Sequence, residues 1–405
     1  MKKIDDVVST ILSYKMGLRE QEEKLKTFSG RKKFKIGIPK EDDSHEKCVP
    51  LTPELTESLV NDGYKIVIEK NAGLGAGFSD MEYSNCGATI VSSTDEVYKS
   101  DVIVKINHPL EKEIEMMPKG GIVVSNIYRT KPTAGCLNVM MKHKITGISA
   151  ELVTNEYGWP IRDSLFPLEG KALMLMASEL LTNERGGQGV LLGGIAGVHP
   201  AEIVIIGAGI VAEHAAQVGI VLGATVKIFS ASTDSLFSIK QRVGQSLYTN
   251  MLNTRSLLEA LSTADVVINT LNFERNDDIF RVGHAILSLM KRGAIVLDMS
   301  VHCAEYDDSK MVGIEKYVLE KYGVTYHCII NISSRVARTA SMALSNIVYD
   351  IIRQVTRFSN ITEVLQENKG IREGVYTFNG FLIDAHLGQI YRLPYQNINL
   401  LLSAF

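Results

Sequence analysis

Cysteine is scarce in this chain. The five present, Cys48, Cys86, Cys136, Cys303 and Cys328, are scattered and form no C-x-x-C pair. An odd, dispersed set argues against a disulfide framework or a structural zinc site and fits a reducing compartment. An excess of one charge is also missing. Lys and Arg number 43 against 46 Asp and Glu, a formal net charge of -3, which offers no electrostatic footprint for nucleic acid or an anionic membrane. No run approaches the roughly 20 apolar residues of a membrane span. The opening Met1-Lys2-Lys3-Ile4-Asp5-Asp6 puts acids where a secretory signal would begin its apolar stretch. With 33 glycines and 10 prolines the chain is too poor in both for a low-complexity or collagen-like protein. The expectation is a soluble cytoplasmic protein, and 405 residues, 45% of them hydrophobic, suffice for two or three domains with their own cores.

Ile4, Val7, Val8, Ile11 and Leu12 recur at helical spacing ahead of a charged run, so residues 1–33 read as an N-terminal helical extension. Short apolar strands then alternate with helical segments. Strands are expected near Phe34–Ile38, Lys65–Glu69, Val102–Ile106, Ile122–Ile127 and Ile145–Ala150. After a glycine-rich stretch at Asn183–Pro200 a second alternation begins, with strands near Glu202–Ile206, Thr225–Phe229, Val266–Asn269, Ile295–Met299 and Thr325–Ile329. From Ser333 a helical run leads into the C-terminal segment. Such alternation predicts an α/β protein of two doubly wound halves with parallel sheets.

The sharpest local signal is Ile203-Val204-Ile205-Ile206-Gly207-Ala208-Gly209-Ile210-Val211-Ala212, a buried strand running through G-x-G-x-x-A into a helix. Gly207 allows the tight turn, Gly209 lets backbone approach a pyrophosphate, and Ala212 lets the helix pack closely on the strand. The helix N-terminus offers N–H groups and a positive dipole to phosphate. At the end of the next strand Ser230 stands where an NAD site places an acid for the ribose 2′-hydroxyl. The choice between NAD(H) and NADP(H) therefore stays open.

Several blocks in fixed order resemble the alanine dehydrogenase and transhydrogenase α-subunit family. They are Ile36-Gly37-Ile38-Pro39-Lys40-Glu41, Leu51-Thr52-Pro53, Gly186 to Gly194 with Gly197-Val198-His199-Pro200, the Gly207 fingerprint, Gly293 to Asp298, and Asn331 with Ser334 to Ser341. The resemblance implies a central Rossmann dinucleotide-binding domain, residues 161–338, inserted in a discontinuous substrate-type domain, residues 34–160 and 339–405. It further implies NAD(H) held by Gly207, Gly209, Ala212, Ser230, Asp298 and Asn331, and a homo-oligomer, commonly a hexamer; an active paralogue is the alternative partner.

The residues that carry the chemistry depart from that pattern. Alanine oxidation needs a cation for the substrate carboxylate, a Lys/His pair to hold the oxygen and move protons, and an aspartate near the nicotinamide. At the matching positions stand Cys48 for the arginine, Asn107 for the lysine, Tyr128 for the histidine and His302 for the aspartate. The hinge motif reads Leu165-Phe166-Pro167-Leu168-Glu169-Gly170, without its serine and glutamate. No catalytic residue and no metal site is assigned. Three readings follow: a family member that binds a dinucleotide without catalysing alanine oxidation, an enzyme whose site is rebuilt around Tyr128 and His302, and a still-active alanine dehydrogenase.

Overall fold

The Ile- and Val-rich runs become two eight-stranded sheets in the computed structural model, which describes residues 34–41, 45–127, 131–252, 254–271, 280, 282–300, 310–312, 315–329 and 331–403. The first sheet comprises β1 (Lys35–Ile38), β2 (Lys65–Glu69), β3 (Thr89–Val91), β4 (Val102–Val104), β5 (Ile122–Ser125) and β6 (Thr146–Ser149). The second comprises β7 (Glu202–Ile206), β8 (Thr225–Ser230), β9 (Tyr248–Met251), β10 (Val266–Asn269), β11 (Ile295–Asp298), β12 (Lys310–Val312), β13 (Glu315–Lys321) and β14 (Val324–Cys328). From the C-terminal part of the chain β15 (Val375–Phe378) and β16 (Phe381–Leu382) return to complete the first sheet.

The strand orders are β16-β15-β6-β5-β4-β1-β2-β3 and β12-β13-β14-β11-β10-β7-β8-β9. Each sheet is thus six parallel strands wound outward from its own first strand, with two antiparallel strands appended at one edge. Central strands such as β5, β6, β10 and β11 are buried along their whole length, as sheets covered on both faces require. One sheet is therefore built from both ends of the described chain and the other from its middle, the discontinuous arrangement expected. The helical run expected from Ser333 is present at Ala337–Val355, and two strands follow it. Of these, β15 pairs antiparallel with β6 and with β16.

Five helices position the candidate site: α1 (Pro53–Asn61), α2 (Ala134–Lys142), α3 (Pro160–Leu180), α4 (Ile210–Val221) and α5 (Ala337–Val355). Along α5, Ala337, Ala340, Leu344, Val348, Ile351, Ile352 and Val355 form one apolar stripe. That stripe joins the core holding Ile36, Leu51 and Ile68; each fully buried aliphatic contributes roughly 1.5–3 kcal/mol. Two serines on the buried side of α5 have a polar task. The hydroxyls of Ser341 and Ser345 accept the backbone N–H groups of Val49 and Thr52, each at 2.9 Å. Helix α3 lies so close to α4 that a Cβ on Gly170 would sit 2.3 Å from the Val211 carbonyl oxygen.

Among the described cysteines Cys48, Cys86 and Cys136 are free thiols, whereas Cys328 at the end of β14 is disulfide-bonded. The scattered spacing pointed away from any disulfide; spacing along the chain does not reveal a pair that the fold alone brings together. No helix among the described residues is long and apolar enough to cross a membrane. The N-terminal extension lies outside the described residues.

Candidate functional site

In a doubly wound sheet the strand order reverses beside the first strand, and the loops leaving the two diverging strands open a crevice. The second sheet reverses between β7 and β10. There the chain turns through Gly207 with φ +109°, and a Cβ on Gly207 would lie 2.3 Å from Thr270 Oγ1 just beyond β10. Thr270 donates that hydroxyl to the Ile206 carbonyl at 2.9 Å, so the turn is clamped against its neighbour. Gly209 differs. It caps α4 at φ -83°, and a Cβ there would meet nothing within 4 Å. The first-turn N–H groups of α4 have no partner within the helix. Ala212 is fully buried, letting α4 descend onto the sheet. This cradle suits the pyrophosphate of a dinucleotide in shape and in dipole.

The other expected cofactor residues lie at the ends of the same sheet, though several have their polar atoms engaged. Ser230 ends β8, is buried, and its hydroxyl accepts the Ser232 N–H at 3.3 Å. Asp298 ends β11 with one oxygen accepting from Ser300 N (2.8 Å) and Asn269 Nδ2 (3.1 Å), the other from Tyr326 OH at 2.6 Å. Burial nonetheless holds its carboxyl above the ordinary aspartate range. Asn331 donates Nδ2 to Glu46 at 2.8 Å, reaching the loop that follows β1.

The first sheet reverses between β1 and β4. Glu41 leaves β1 and accepts the N–H groups of Ile106 (2.6 Å) and Asn107 (3.3 Å), which leave β4. Burial raises the Glu41 carboxyl to about 8, against the lowering pull of Lys105 and of these hydrogen bonds. A cavity of about 530 Å³ opens beside them, lined also by Lys112, Lys131 and Thr133. Lys105, the other cation of the lining, is buried and paired with Glu113 at 3.2 Å to both oxygens. His108 is buried too, with Nδ1 on the Pro109 carbonyl oxygen at 2.6 Å and Nε2 3.3 Å from Tyr376 OH. That setting lowers its pKa to about 4, chiefly by desolvation, so the imidazole is neutral at physiological pH. Cys136 lies 3.7 Å from the same ring, but burial lifts its thiol to about 12, which removes it as a nucleophile.

Cys48 is 5% exposed, and its sulfur lies 3.9 Å from Ser334 Oγ. Glu46 anchors this loop: Oε1 accepts from Cys48 N and Ser334 Oγ, each at 2.8 Å, and Oε2 accepts from Asn331. Lys47 N donates to Ser334 Oγ at 2.9 Å. Hence the segments 47–52 and 334–345, about 290 residues apart, are stitched to one another by serine hydroxyls. The structure brings Cys48 to Ser334, Asn331 to Glu46, and Asn107 to Glu41. Tyr128 and His302 lie outside the described residues. Arg335 pairs with Glu179 at 2.7 Å, and Arg338 lies over the Phe78 ring, 4.4 Å from its centroid.

Sequence reasoning did not single out Glu41, Glu46 or the Lys105–Glu113 pair. The signal for Glu41 was at hand, since it closes the Pro39-Lys40-Glu41 block at the end of the first strand, where ligands bind in such sheets. Glu113 carried no signal, because its partner reaches it only through the fold.

Comparison with known proteins agrees with this architecture. Residues 37–160 match the model of the N-terminal domain, and residues 173–385 that of the C-terminal domain, of the alanine dehydrogenase/PNT family. An alanine dehydrogenase of Methanococcus maripaludis is 30% identical over 364 residues, 89% of this chain and 97% of that protein. One from Bacillus subtilis is 27% identical over 85% of this chain and 91% of its own length. Among solved structures an L-alanine dehydrogenase superposes with a TM-score of 0.79 at 25% identity, covering 88% of this chain and 99% of that one. A transhydrogenase from Sinorhizobium meliloti, at 22% identity and a TM-score of 0.71 over 87% of this chain and 99% of that one, shares the fold. With both domain models matched in order and a relative at 30% identity across nearly its whole length, the chain belongs to the alanine dehydrogenase/PNT family.

Proposed function

We propose that this chain is a cytoplasmic, dinucleotide-binding member of the family that does not oxidise alanine. The observation that carries the proposal is the loop around Cys48. Where a substrate carboxylate would need a cation, the chain presents a buried cysteine, and the side chain that accepts its backbone N–H is the acid Glu46. A thiol gives a carboxylate no charge-assisted bond of the kind an arginine supplies. Asn107 cannot exchange a proton near neutral pH. Lys105, two residues before it, is committed to Glu113 in a buried pair.

The dinucleotide half keeps what it needs. Gly207 and Gly209 with the first turn of α4 would hold the pyrophosphate, and Ser230 would sit toward the ribose. A nicotinamide dinucleotide, when bound, supplies hydride chemistry; the chain's own contribution is to bind and orient it. With no acid at Ser230 both NAD(H) and NADP(H) are candidates. The test is a calorimetric titration of the purified chain with NADH and with NADPH, followed by assays with alanine and with a panel of 2-oxo acids. Saturable binding of a reduced dinucleotide without alanine turnover is expected. No binding of either would reduce the chain to a scaffold, and turnover of another oxo acid would favour the rebuilt site.

A further inference from the structure

The cavity of about 530 Å³ at the reversal of the first sheet has uncharged walls and a charged rim. Pro109, Leu110 and Pro132 give it apolar surface, and Cys136, from the first turn of α2, adds a thiol that burial keeps protonated. His108 is neutral at physiological pH, and the buried Lys105 ammonium is matched by Glu113. The exposed charges on the lining are Glu111, Lys112 and Lys131. Glu111 is set against the start of α2, where a Cβ on Gly135 would lie 2.3 Å from its Oε2. The positive end of that helix dipole suits the carboxylate and leaves the two lysines as the cations of the rim.

Glu41 adds a donor. Its two oxygens face N–H groups, Ile106 at 2.6 Å and Asn107 at 3.3 Å. Neither can receive the proton that burial keeps on the carboxyl up to about pH 8, so the acid has an O–H to give and no acceptor in either bond. The space is also large for a three-carbon acid, since pockets of about 300–1,000 Å³ enclose drug-sized ligands. We propose that this cavity binds a monocarboxylic acid with a bulky apolar body and a second, uncharged oxygen acceptor. The carboxylate lies at Lys112 and Lys131, the body against Pro109, Leu110 and Pro132, and the acceptor oxygen at Glu41. Two lysines against the one acid Glu111 leave a single positive charge on the rim, which matches a carboxylate better than a phosphate dianion. The site needs neither the dinucleotide nor alanine chemistry, so it stands or falls apart from the proposed function.

The experiment is a calorimetric titration of the full chain, without dinucleotide, using 4-oxo-4-phenylbutanoate as the probe. Its primary amide, 4-phenylbutanoate, pyruvate and phenyl phosphate are the comparisons. Saturable binding of the oxo acid is expected, with the amide and pyruvate weaker by about tenfold or more and 4-phenylbutanoate, which lacks the acceptor, weaker by a smaller factor. Lys112→Gln/Lys131→Gln changes exposed side chains only, and circular dichroism verifies its fold. This variant should bind the oxo acid about tenfold more weakly or worse. Lys142→Gln, at the far end of α2, should bind it as the unmodified chain does. Equal binding of the acid and its amide would overturn the proposal, as would a folded double-lysine variant with undiminished affinity. Tighter binding of phenyl phosphate than of the oxo acid would overturn the carboxylate assignment, and absence of saturable oxo-acid binding would overturn the site.

Discussion

Gly207 and Gly209 stand two residues apart in one loop, and the structure assigns them opposite sensitivities. An alanine at 207 must adopt φ +109° and force its methyl group to 2.3 Å from Thr270 Oγ1. The left-handed backbone alone costs roughly 1–2 kcal/mol, and moving Thr270 breaks its bond to Ile206 O, worth about 1 kcal/mol. Gly207→Ala should therefore lose about 2–3 kcal/mol of stability, seen as a lower urea midpoint with an unchanged slope. An alanine at 209 keeps an ordinary backbone, φ -83° and ψ -174°, and its methyl group enters open space. Stability should fall by only about 1 kcal/mol, the cost of a poorer residue at the helix cap. That same open space is where the pyrophosphate would approach, so calorimetry should show NADH affinity reduced at least tenfold, about 1.4 kcal/mol. Undiminished NADH binding by folded Gly209→Ala protein would refute the placement of the phosphates. Equal stability losses in the two variants would refute the steric argument.

Three further outcomes follow from the same geometry. Ser230→Asp places a carboxylate at the end of β8 and should tighten NADH binding by about tenfold while weakening NADPH, because a charge-assisted bond to the ribose is worth about 1.5–3 kcal/mol before losses; equal affinities would remove Ser230 from the ribose. Glu41 holds its proton up to about pH 8 in the folded chain against an ordinary value of 4.5. Its contribution to stability is thus present below about pH 4.5, where both states are protonated, and is lost as pH rises through about 8. Glu41→Gln should flatten the fall in melting temperature across that window, and an unchanged slope would contradict the assignment. Glu113→Ala strands the buried Lys105 ammonium and should cost about 3–5 kcal/mol, whereas the double variant Lys105→Met/Glu113→Leu should recover most of it in denaturant titrations.

The central strands were legible because burial on both faces writes continuous Ile/Val runs into β7, β10 and β11, and a glycine turn follows β7. The edge strands were not. Of β9, Tyr248 and Met251 are exposed, β3 is three residues long, and β15 follows a helix and owes its place in the sheet to β6, far away in sequence. In the candidate site the same division holds. The Gly207 loop is local, so its turn and cap could be read from ten residues. The environment of Cys48 depends on Ser334 and Asn331 across nearly 290 positions, and only the folded chain shows that the position is buried and tied to an acid. The disulfide at Cys328 was likewise absent from the sequence expectation.

The most direct test of the account is an initial-rate measurement on the unmodified chain, with L-alanine and NAD⁺ in one direction and pyruvate, ammonium and NADH in the other, under conditions where calorimetry shows the dinucleotide bound. Removing one general acid–base group typically costs about 10²–10⁴ in rate, and groups that act as a unit leave little when all are replaced. With Cys48 and Asn107 in place of a cation and a proton carrier, the account predicts no turnover above background in either direction. Robust alanine-dependent NADH formation by the same folded protein would contradict it.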